Sequence, residues 1–563
     1  MRFCRDSPAC TAIEGFVATR PVYNALMPEK APSLDFNPEF RKALETMEGT
    51  SRNLLLTGRA GTGKSTLLRY FRDHTKKNAA VLAPTGVAAL NVEGETIHSF
   101  FRFRTDVTPE KVKRARDRDL YAKLDAIVID EVSMVRADLM DCVDAFLRLN
   151  GRKPGKPFGG VQVILIGDLY QLPPIVTSSD REAFRSRYPS PFFFDARSYA
   201  GLDCGFIELQ KVYRQHDQGF IAVLNAIRNN IITPEHMAIL NGRVCPDYEP
   251  PPDERVVCLT PFNKAADEIN ARRLAALPGK ESVFRADTSG KAEEKSLPAP
   301  LELAVKPGAQ VMMVNNDSMG RWVNGTLARV TRIVRHGGEP DEIAVELGDG
   351  PTARVGPHTW KMFRYVWNRA EKRLDTEPVG SYTQYPMRLA WAVTIHKAQG
   401  KTFDKVVVDM GRGAFAAGQT YVALSRCTTL EGLVLKRPLG KRDVFTDWRI
   451  VKFVTGRHYD ISERAMPMER KLDAIREAIR ARAPIEIIYL KSNDTRSRRT
   501  VTPLEAGTME YKERPFQGMR AMCHLRREER IFRIDRILDM RTATPVLTDG
   551  GVATPGHVAK RRK

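Results

Sequence analysis

The stretch GRAGTGKST, residues 58–66, decides the fold of this chain. It follows an apolar run at 54–56 and precedes a predicted amphipathic helix. A glycine-rich turn between a strand and a helix directs backbone N–H groups and the positive helix end at phosphate oxygens. We therefore predict a phosphate-binding loop, in which Lys64 reaches the β- and γ-phosphates and the Ser65 hydroxyl binds magnesium. A glycine-rich turn that contains a lysine by chance is the alternative. The expected nucleotide contacts in the loop are Gly58, Ala60, Gly61, Thr62, Gly63, Lys64, Ser65 and Thr66.

Two apolar stretches downstream end in polar side chains. LDAIVIDE ends in Asp130 and Glu131, and VQVILIGDLYQLPPI carries Asp168 and Gln171 after its apolar part. Ligands of parallel α/β sheets bind at the carboxyl ends of the strands. We expect Asp130 to hold a metal ion through water, Glu131 to polarise the attacking water and Gln171 to sense the γ-phosphate. Asp168 is a further expected nucleotide contact. Solvated turns after buried strands are the alternative.

The chain of 563 residues is basic, with 89 Lys and Arg against 68 Asp and Glu. Such an excess favours a polyanionic partner, although membrane-surface proteins share it. The excess is uneven, since residues 471–563 hold 21 Lys and Arg and only 12 Asp and Glu. Eight scattered cysteines without a C-x-x-C pair argue against a zinc knuckle or a disulfide framework. No apolar run approaches the ~18 residues that cross a bilayer, so we expect a cytoplasmic protein without a membrane partner.

Hydrophobic patterning divides the chain into several units. Predicted strands and helices alternate in its first half and again from residue 387, and short β-prone pieces with Gly and Asn turns lie between them. The polar segment 280–300 is expected to be a loop, and Met27 is an alternative start. The expected units are a disordered tail at 1–33, a first α/β domain at 34–208, a second at 209–304 and 381–440, an inserted β-barrel at 305–380, a linker at 441–470, a basic β module at 471–540 and a disordered basic tail at 541–563.

Seven motifs in a fixed order resemble the Pif (petite integration frequency) family of superfamily-one DNA helicases, close to the RecD-like group. The motifs are GRAGTGKST, APTGVAALNVEGETIHSFF, IVIDEVSM, GDLYQLPP, VYRQ, AVTIHKAQGKTFD and YVALSRCT, and they cover about residues 34–440. The resemblance implies two RecA-like parallel-sheet domains, with an SH3-like β insertion in the second. It also implies ATP and Mg²⁺ as cofactors and 5′→3′ movement on single-stranded DNA with duplex unwinding, in replication, repair or recombination.

The resemblance assigns roles position by position. Lys64, Asp130, Glu131 and Gln171 keep the roles given above, and Gly400 is a further nucleotide contact. Arg214 and Arg426 are implied to stabilise charge on the transferring phosphoryl group from across the cleft between the domains. The implied DNA contacts are Pro84, Thr85, Gly86, His98, Pro261, Asn263, Thr394, His396 and Lys397.

One position departs from the family pattern. The family usually has a Gln just upstream of the phosphate loop that reads adenine, and the matching region NPEFRKALE has none. Phe40 or Arg41 is expected to stack on the base instead. The selectivity for ATP is therefore left open.

The last hundred residues resemble a WYL domain, a small Sm-like β-barrel. The name-giving triplet is absent, and Gly518-Met519-Arg520 stands in its place. A cationic barrel of this kind is a plausible platform for a single strand, and a solvated basic face is the alternative. The residues expected on the nucleic-acid face are Arg499, His524, Arg526, Arg530, Arg533 and Arg536.

Three functions stay open at this point. The first is a DNA helicase that acts on single-stranded and tailed duplex DNA as a monomer, near the bacterial nucleoid and with replication or repair proteins. The second is a single-strand-stimulated ATPase switch or WYL-type regulator that binds DNA without unwinding. The third, a nucleoside or small-molecule kinase, shares the phosphate loop but explains neither HKAQG nor the basic charge.

Overall fold

The computed structural model describes residues 36–542 except 105, 178–179, 216, 252–253, 291–296, 339, 349, 351, 492–495 and 512–513. The tail predicted at 1–33, the alternative start Met27 and the tail predicted at 541–563, apart from its first two residues, lie outside the described residues. Those two residues end the last strand and belong to the fold. In the described part of the chain, no helix combines the length and the apolar content that crossing a bilayer requires.

The secondary structure alternates between helices and strands up to residue 276 and is mostly β after that. The strands are β1 (Asn53–Gly58), β2 (Ala79–Ala83), β3 (Glu95–Thr96), β4 (Ala126–Ile129), β5 (Gln162–Ile166), β6 (Cys204–Leu209), β7 (Val257–Thr260), β8 (Ser282–Arg285), β9 (Asp287–Gly290), β10 (Glu302–Val305), β11 (Gln310–Met313), β12 (Leu327–Val334), β13 (Glu342–Leu347), β14 (Thr352–Val355), β15 (His358–Asn368), β16 (Arg373–Gln384), β17 (Met387–Leu389), β18 (Ala392–Thr394), β19 (Val406–Val408), β20 (Leu433–Leu435), β21 (Ile485–Leu490), β22 (Arg496–Tyr511), β23 (Arg514–Cys523), β24 (Glu528–Arg533) and β25 (Ile537–Thr542). The helices are α1 (Pro38–Gly49), α2 (Lys64–His74), α3 (Gly86–Asn91), α4 (Ile97–Phe101), α5 (Asp119–Ala122), α6 (Ala137–Asn150), α7 (Arg181–Arg185), α8 (Arg197–Ala200), α9 (Gln218–Arg228), α10 (Pro234–Asn241), α11 (Asn263–Ala276), α12 (Gln419–Leu424), α13 (Trp448–Ala465) and α14 (Met468–Arg480).

The first domain is a six-stranded parallel sheet in the order β3-β2-β4-β5-β1-β6. Its strands are apolar on both faces because helices cover both, and β5 is buried along its whole length. Asn37 caps helix α1, since its side chain accepts a hydrogen bond from the backbone N–H of Phe40 at 2.8 Å. Because β4, β5 and β1 are neighbours, the phosphate loop and both polar strand ends lie at one edge of the sheet.

The second domain is a four-stranded parallel sheet in the order β18-β7-β19-β20. The predicted α/β fold with two parallel sheets is therefore confirmed. Between β7 and β18 lie antiparallel sheets in the orders β14-β13-β12-β11-β17, β10-β8 and β15-β16-β9. These strands occupy residues 282–389, which is wider than the predicted insertion at 305–380. The prediction of a loop at 280–300 was wrong for the first half of that segment. It contains β8 and β9, which pair with the strands β10 and β16 farther along the chain.

The β15–β16 hairpin reaches back to the first domain. The Tyr365 hydroxyl accepts a hydrogen bond from the backbone N–H of Val81 at 3.0 Å, and the Tyr365 N–H donates to Glu95 at 3.2 Å. Farther along the hairpin, the N–H of Leu374 donates to the Asn78 side chain at 3.0 Å. The insertion is thus attached to both parallel sheets.

The segment 441–470 was wrongly predicted as a linker. It contains α13, whose Ile450 and Val454 are buried in the core of the first domain. The ring of Phe453 stacks on Phe194 with centroids 4.3 Å apart and planes 8° apart. At its other end, Ser462 donates a hydrogen bond to the carbonyl of Ile537 in the C-terminal module. The helix therefore fastens this module to the first domain.

The C-terminal module is a five-stranded antiparallel sheet in the order β24-β23-β22-β21-β25. Helix α14 covers it, and Ile475 of the helix packs with Ile487, Val501 and Phe532 in a separate apolar cluster. This helix starts at Met468, before the predicted boundary at 471. The module thus has its own core.

Replacing Phe453 with alanine is expected to destabilise the chain by about 2–3 kcal/mol, because the ring is only partly buried but stacked. The expected result is a lower thermal midpoint and faster proteolysis within α13. Lys452→Ala, on the exposed face of the same helix, is the control and should leave both unchanged. Rapid cleavage of the unaltered chain within 448–465 would show that the segment is a linker after all.

Candidate nucleotide and nucleic-acid site

The phosphate loop connects β1 to α2. Gly61 and Gly63 have φ of +78° and +86°, which side chains other than glycine rarely adopt. A Cβ atom on Gly61 would also lie 2.5 Å from the Cβ atom of Arg214. Lys64 donates hydrogen bonds to the carbonyls of Gly58 at 2.9 Å and Arg59 at 3.0 Å, and burial lowers its pKa. The ammonium group therefore lies inside the loop, where phosphate oxygens would meet it.

Two adjacent carboxylates follow β4. Asp130 is 7% exposed, and burial raises its pKa to about 6. Burial and the neighbouring Asp130 raise the pKa of Glu131 to about 7. Two carboxylates side by side, one buried and one partly buried, are unfavourable unless a cation compensates them. Together with the Ser65 hydroxyl they offer the oxygen ligands that Mg²⁺ prefers, so the residues present fit this metal ion.

A glutamine from the second domain joins this group. Gln399, in the turn after β18, donates to Glu131 and to Gln171, each at 3.1 Å. Gln171 in turn donates to Asp168 at 3.1 Å. Gln399 was not among the predicted site residues, although its place in the HKAQG motif was a signal for it. It connects Gln171, the expected γ-phosphate sensor, to Glu131, the expected water-polarising carboxylate.

The charge of Asp168 acts on Lys64 and on Glu131, so this carboxylate lies within the site, and its contact with the nucleotide stays a prediction. Its side chain is fully buried and pairs with Arg228 of the second domain at 3.4 Å. The Tyr421 hydroxyl donates to Asp168 at 3.2 Å and accepts the backbone N–H of Ala60 at 3.0 Å. The carboxylate therefore holds the two domains together within the site. Tyr421 lies in the YVALSRCT motif, whereas nothing in the sequence distinguished Arg228.

Three ionisable side chains in succession connect this junction to α13. Arg228 lies 3.7 Å from Glu208 at the end of β6, and His458 of α13 lies 3.4 Å from the same carboxylate. All three side chains are nearly buried. The helix that carries the C-terminal module thus contacts the residues that organise the nucleotide site.

The two predicted arginines lie together at the cleft. Arg426 is 1% exposed, and its guanidinium donates to the carbonyls of Val422 at 2.9 Å and Lys401 at 3.2 Å. Arg214 donates to the carbonyl of Gly400 at 3.4 Å. Burial, followed by repulsion from Arg214, lowers the pKa of Arg426 to about 9. The buried Arg426 and the partly buried Arg214 carry like charges close together, which favours an anionic ligand between them.

The base side of the loop differs from the prediction. Phe40 is 3% exposed, and its ring packs beneath Gly63, so it cannot stack on a base. Arg41 donates to the carbonyl of Phe36. The aromatic ring that is exposed next to the loop belongs to Tyr213, which is 37% exposed and whose hydroxyl accepts a hydrogen bond from Asn37 at 3.1 Å. Tyr213 is the tyrosine of the VYRQ motif.

The DNA contacts predicted in the first domain border a groove. Thr85 is exposed and caps α3, next to Pro84. Gly86 and His98 line a cavity of about 890 Å³ between this domain and β15. Arg102, Lys361 and Arg364 line the same cavity. Glu93 and Glu95 also line it, so the cavity carries charges of both signs, with one more cationic arginine or lysine than carboxylates among these five side chains.

The DNA contacts predicted in the second domain lie in two turns. Asn263 and Lys397 are exposed, and burial lowers the pKa of the partly buried His396. Pro261 and Thr394 are buried, and Thr394 accepts a hydrogen bond from the backbone N–H of Lys397 at 3.3 Å. These last two residues support the turns and do not line the surface. Residues 395–400 form a turn.

The predicted basic face of the C-terminal module is only partly exposed. Arg499 is 8% exposed and donates to the Cys523 sulfur at 3.5 Å, so it was wrongly placed on the surface. Burial, together with Arg499, Arg526 and Arg530, lowers the pKa of Lys491, which shows that these cations are close together. Among the other predicted residues, His524 shares a hydrogen bond with Thr502 and Arg533 pairs with Asp535. Arg536 is half-buried.

Two family models match the chain. The model described as PIF1-like helicase matches residues 37–235, and the one described as WYL domain matches residues 470–542. The chain is 32% identical over 436 residues to the ATP-dependent DNA helicase Pif1 of Bdellovibrio bacteriovorus, which covers 75% of this chain and 92% of that protein. It is 34% identical over 432 residues to human ATP-dependent DNA helicase PIF1, which covers 73% of this chain. The chain spans 62% of the length of the human relative.

Solved structures of Bacteroides Pif1 have the same architecture. The structure in complex with ADP-AlF4 superposes with a TM-score of 0.68 at 34% identity and covers 75% of this chain and 96% of that one. The structure bound to ssDNA superposes with a TM-score of 0.55 at 34% identity and covers 77% of this chain and 97% of that one. The chain therefore belongs to the PIF1-like helicase family and carries a WYL domain at its C-terminal end.

Proposed function

We propose that the chain is an ATP-dependent DNA helicase that moves 5′→3′ on single-stranded DNA and unwinds duplex. The observation that carries this proposal is the meeting of Arg426 and Gln399 from the second domain with Glu131 and the phosphate loop from the first. Each domain alone lacks half of this site. A nucleotide bound there would draw the domains together, and its hydrolysis would release them.

The proposed mechanism assigns each residue one task. Lys64 and the loop amides bind the phosphates, and Glu131 orients the attacking water with help from Gln399. Arg214 and Arg426 stabilise the charge on the transferring phosphoryl group. Ser65 and Asp130 would hold Mg²⁺, which neutralises charge on the β- and γ-phosphates when it is bound.

The turn 395–400 supplies the proposed coupling. It carries Gln399 at the nucleotide site, and His396 and Lys397 where DNA is expected. A shift of Gln399 on hydrolysis therefore moves His396 and Lys397, because at most two residues separate Gln399 from either of them. We propose that this turn transmits each ATP cycle to the strand.

The test is ATP-dependent separation of duplexes that carry a 5′ or a 3′ single-stranded tail. We expect separation of the 5′-tailed duplex only. ATP hydrolysis that single strands stimulate, without any separation, would support the second candidate, an ATPase switch. ATP hydrolysis that ignores DNA would support a kinase-like activity. Expectations of a monomer, of replication or repair partners and of a nucleoid location stay predictions.

On the base side, we propose that Tyr213 stacks on adenine in place of Phe40. Its ring is exposed beside Gly63, and Asn37 fixes its hydroxyl. Stacking does not distinguish one purine from another, so hydrolysis of GTP at a rate near that of ATP is compatible with this arrangement.

For the WYL domain, we propose that Lys491, Arg526 and Arg530 contact a DNA backbone. Replacing Arg526 and Arg530 with alanine is expected to weaken single-strand binding of the full chain by about tenfold and to lower the slope of its salt dependence by about 2. Arg470→Ala, an exposed arginine on α14, is the control. Unchanged affinity and slope in the double variant would mean that the basic face is merely solvated.

A further inference from the structure

Three aromatic rings lie at one edge of the second parallel sheet. Phe262 follows β7, His396 follows β18, and Phe415 lies in the loop between β19 and α12. The sheet order β18-β7-β19 makes these strands neighbours, so their carboxyl ends meet. That edge is where ligands bind in parallel α/β sheets. The three rings come together for this topological reason and not through nearness in the sequence.

The rings form a short exposed stack. The Phe262 and Phe415 centroids are 5.1 Å apart with planes 28° apart, and these residues are 47% and 55% exposed. His396 continues the stack at 6.4 Å from Phe415 with planes 17° apart. Burial lowers the pKa of His396, so its ring is neutral at neutral pH and stacks as an aromatic group. Large apolar groups left on a surface in one cluster mark a binding site.

The loop that presents Phe415 is held in place. The Phe415 backbone N–H donates to the side chain of Gln419 at 3.1 Å, and Gln419 is fully buried. The Gly413 N–H donates to the carbonyl of Met410 at 2.8 Å. Since the loop is fixed before any ligand arrives, binding there has little ordering entropy to overcome.

Charge around the stack favours a polyanion. Lys397, Lys264 and Arg412 are exposed and close in sequence to the rings. The acidic residues nearest in sequence are Asp267 and Glu268 on α11 and Asp409 after β19, whose carboxylate accepts a hydrogen bond from the Gly411 N–H. Lys264 lies 3.9 Å from Glu268, which offsets one of these cations. Aromatic rings flanked by cations are the usual surface for single-stranded nucleic acid, because bases stack while phosphates meet the cations.

We propose that Phe262, Phe415 and His396 form a platform on which one or two unpaired nucleobases of a single DNA strand stack. This proposal rests on the proposed function and adds a contact with the bases to contacts with the phosphates. Such a platform accepts any base, since every base has an aromatic face. The turn that carries His396 also carries Gln399, so the platform moves with the nucleotide site.

The test compares two single strands of equal length, oligo-dT and an abasic oligonucleotide, by fluorescence anisotropy with the full chain. Phe415→Ala is expected to weaken oligo-dT binding by about 5- to 150-fold, which corresponds to 1–3 kcal/mol for a stacked base. Abasic binding should stay unchanged, because that strand contacts only the cations. Phe415→Trp is expected to restore oligo-dT binding. Phe445→Ala, an exposed aromatic residue of the same domain, is the matched control.

Oligo-dT binding at the unaltered affinity in Phe415→Ala and in the Phe262→Ala, Phe415→Ala double variant overturns the platform. Equal losses on both strands also overturn it, because the rings would then act through the fold or the phosphate contacts. Both outcomes leave the proposed function intact as long as the unaltered chain binds oligo-dT and its ATP hydrolysis responds. If the unaltered chain neither binds oligo-dT nor responds to it, the proposed function itself fails.

Discussion

Replacing Arg426 with lysine is expected to lower single-strand-stimulated ATP hydrolysis by about 10³-fold, near 4 kcal/mol in the barrier. The guanidinium is buried, and burial, followed by repulsion from Arg214, destabilises its charge. Negative charge that develops on the phosphoryl group therefore stabilises it strongly. Lysine keeps the charge but cannot present two parallel donors to one phosphate. Nucleotide affinity should change only a few-fold, because the phosphate loop is intact.

The measurement is steady-state hydrolysis with saturating single strands, beside direct binding of a fluorescent ATP analogue. Arg442→Lys, an exposed arginine of the same domain, is the control. Thermal unfolding checks the fold, since the Arg426 side chain also donates to Val422 and Lys401. A folded Arg426→Lys protein that hydrolyses ATP at the unaltered rate would contradict a site shared by two domains.

The sequence predicts most of the nucleotide site because its residues follow strands of one sheet. Lys64, Glu131 and Gln171 each lie in or next to the loop that follows an apolar strand, and parallel pairing brings such loops to one edge. The roles of Gln399 and Tyr421 could not be derived in this way, since they depend on how the two domains face each other. The contacts of Asp168 across the domains could not be derived in this way either, because its partners Arg228 and Tyr421 belong to the other domain.

Other errors come from composition. The segment 441–470 looked like a linker, yet Ile450, Phe453 and Val454 have the i, i+3, i+4 spacing of a buried helix face and could have identified α13. Strand β9 is exposed along its length and polar, so no hydrophobic pattern marked it. Arg499 looked like a surface cation, and only the packing of β22 against β23 shows that it is buried.

Lys64→Ala is expected to abolish unwinding and to weaken ATP binding by about 10²-fold. The ammonium group donates to two carbonyls within the loop and would exchange them for phosphate oxygens. A hydrogen bond between charged groups contributes about 1.5–3 kcal/mol, which accounts for the loss in affinity. Hydrolysis is expected to fall further, by at least about 10³-fold, because the same charge stabilises the transition state.

The substitution should not unfold the chain, because an ammonium group whose pKa burial lowers gains little from its present position. Single-strand binding without nucleotide is therefore expected to match that of the unaltered chain. This measurement distinguishes a loss of ATP-driven unwinding from unfolding of the protein. Lys76→Ala, an exposed lysine of the same domain, is the control. Since every step from cleft closure to strand movement depends on bound phosphates, a Lys64→Ala protein that still separates 5′-tailed duplexes would refute the helicase mechanism as a whole.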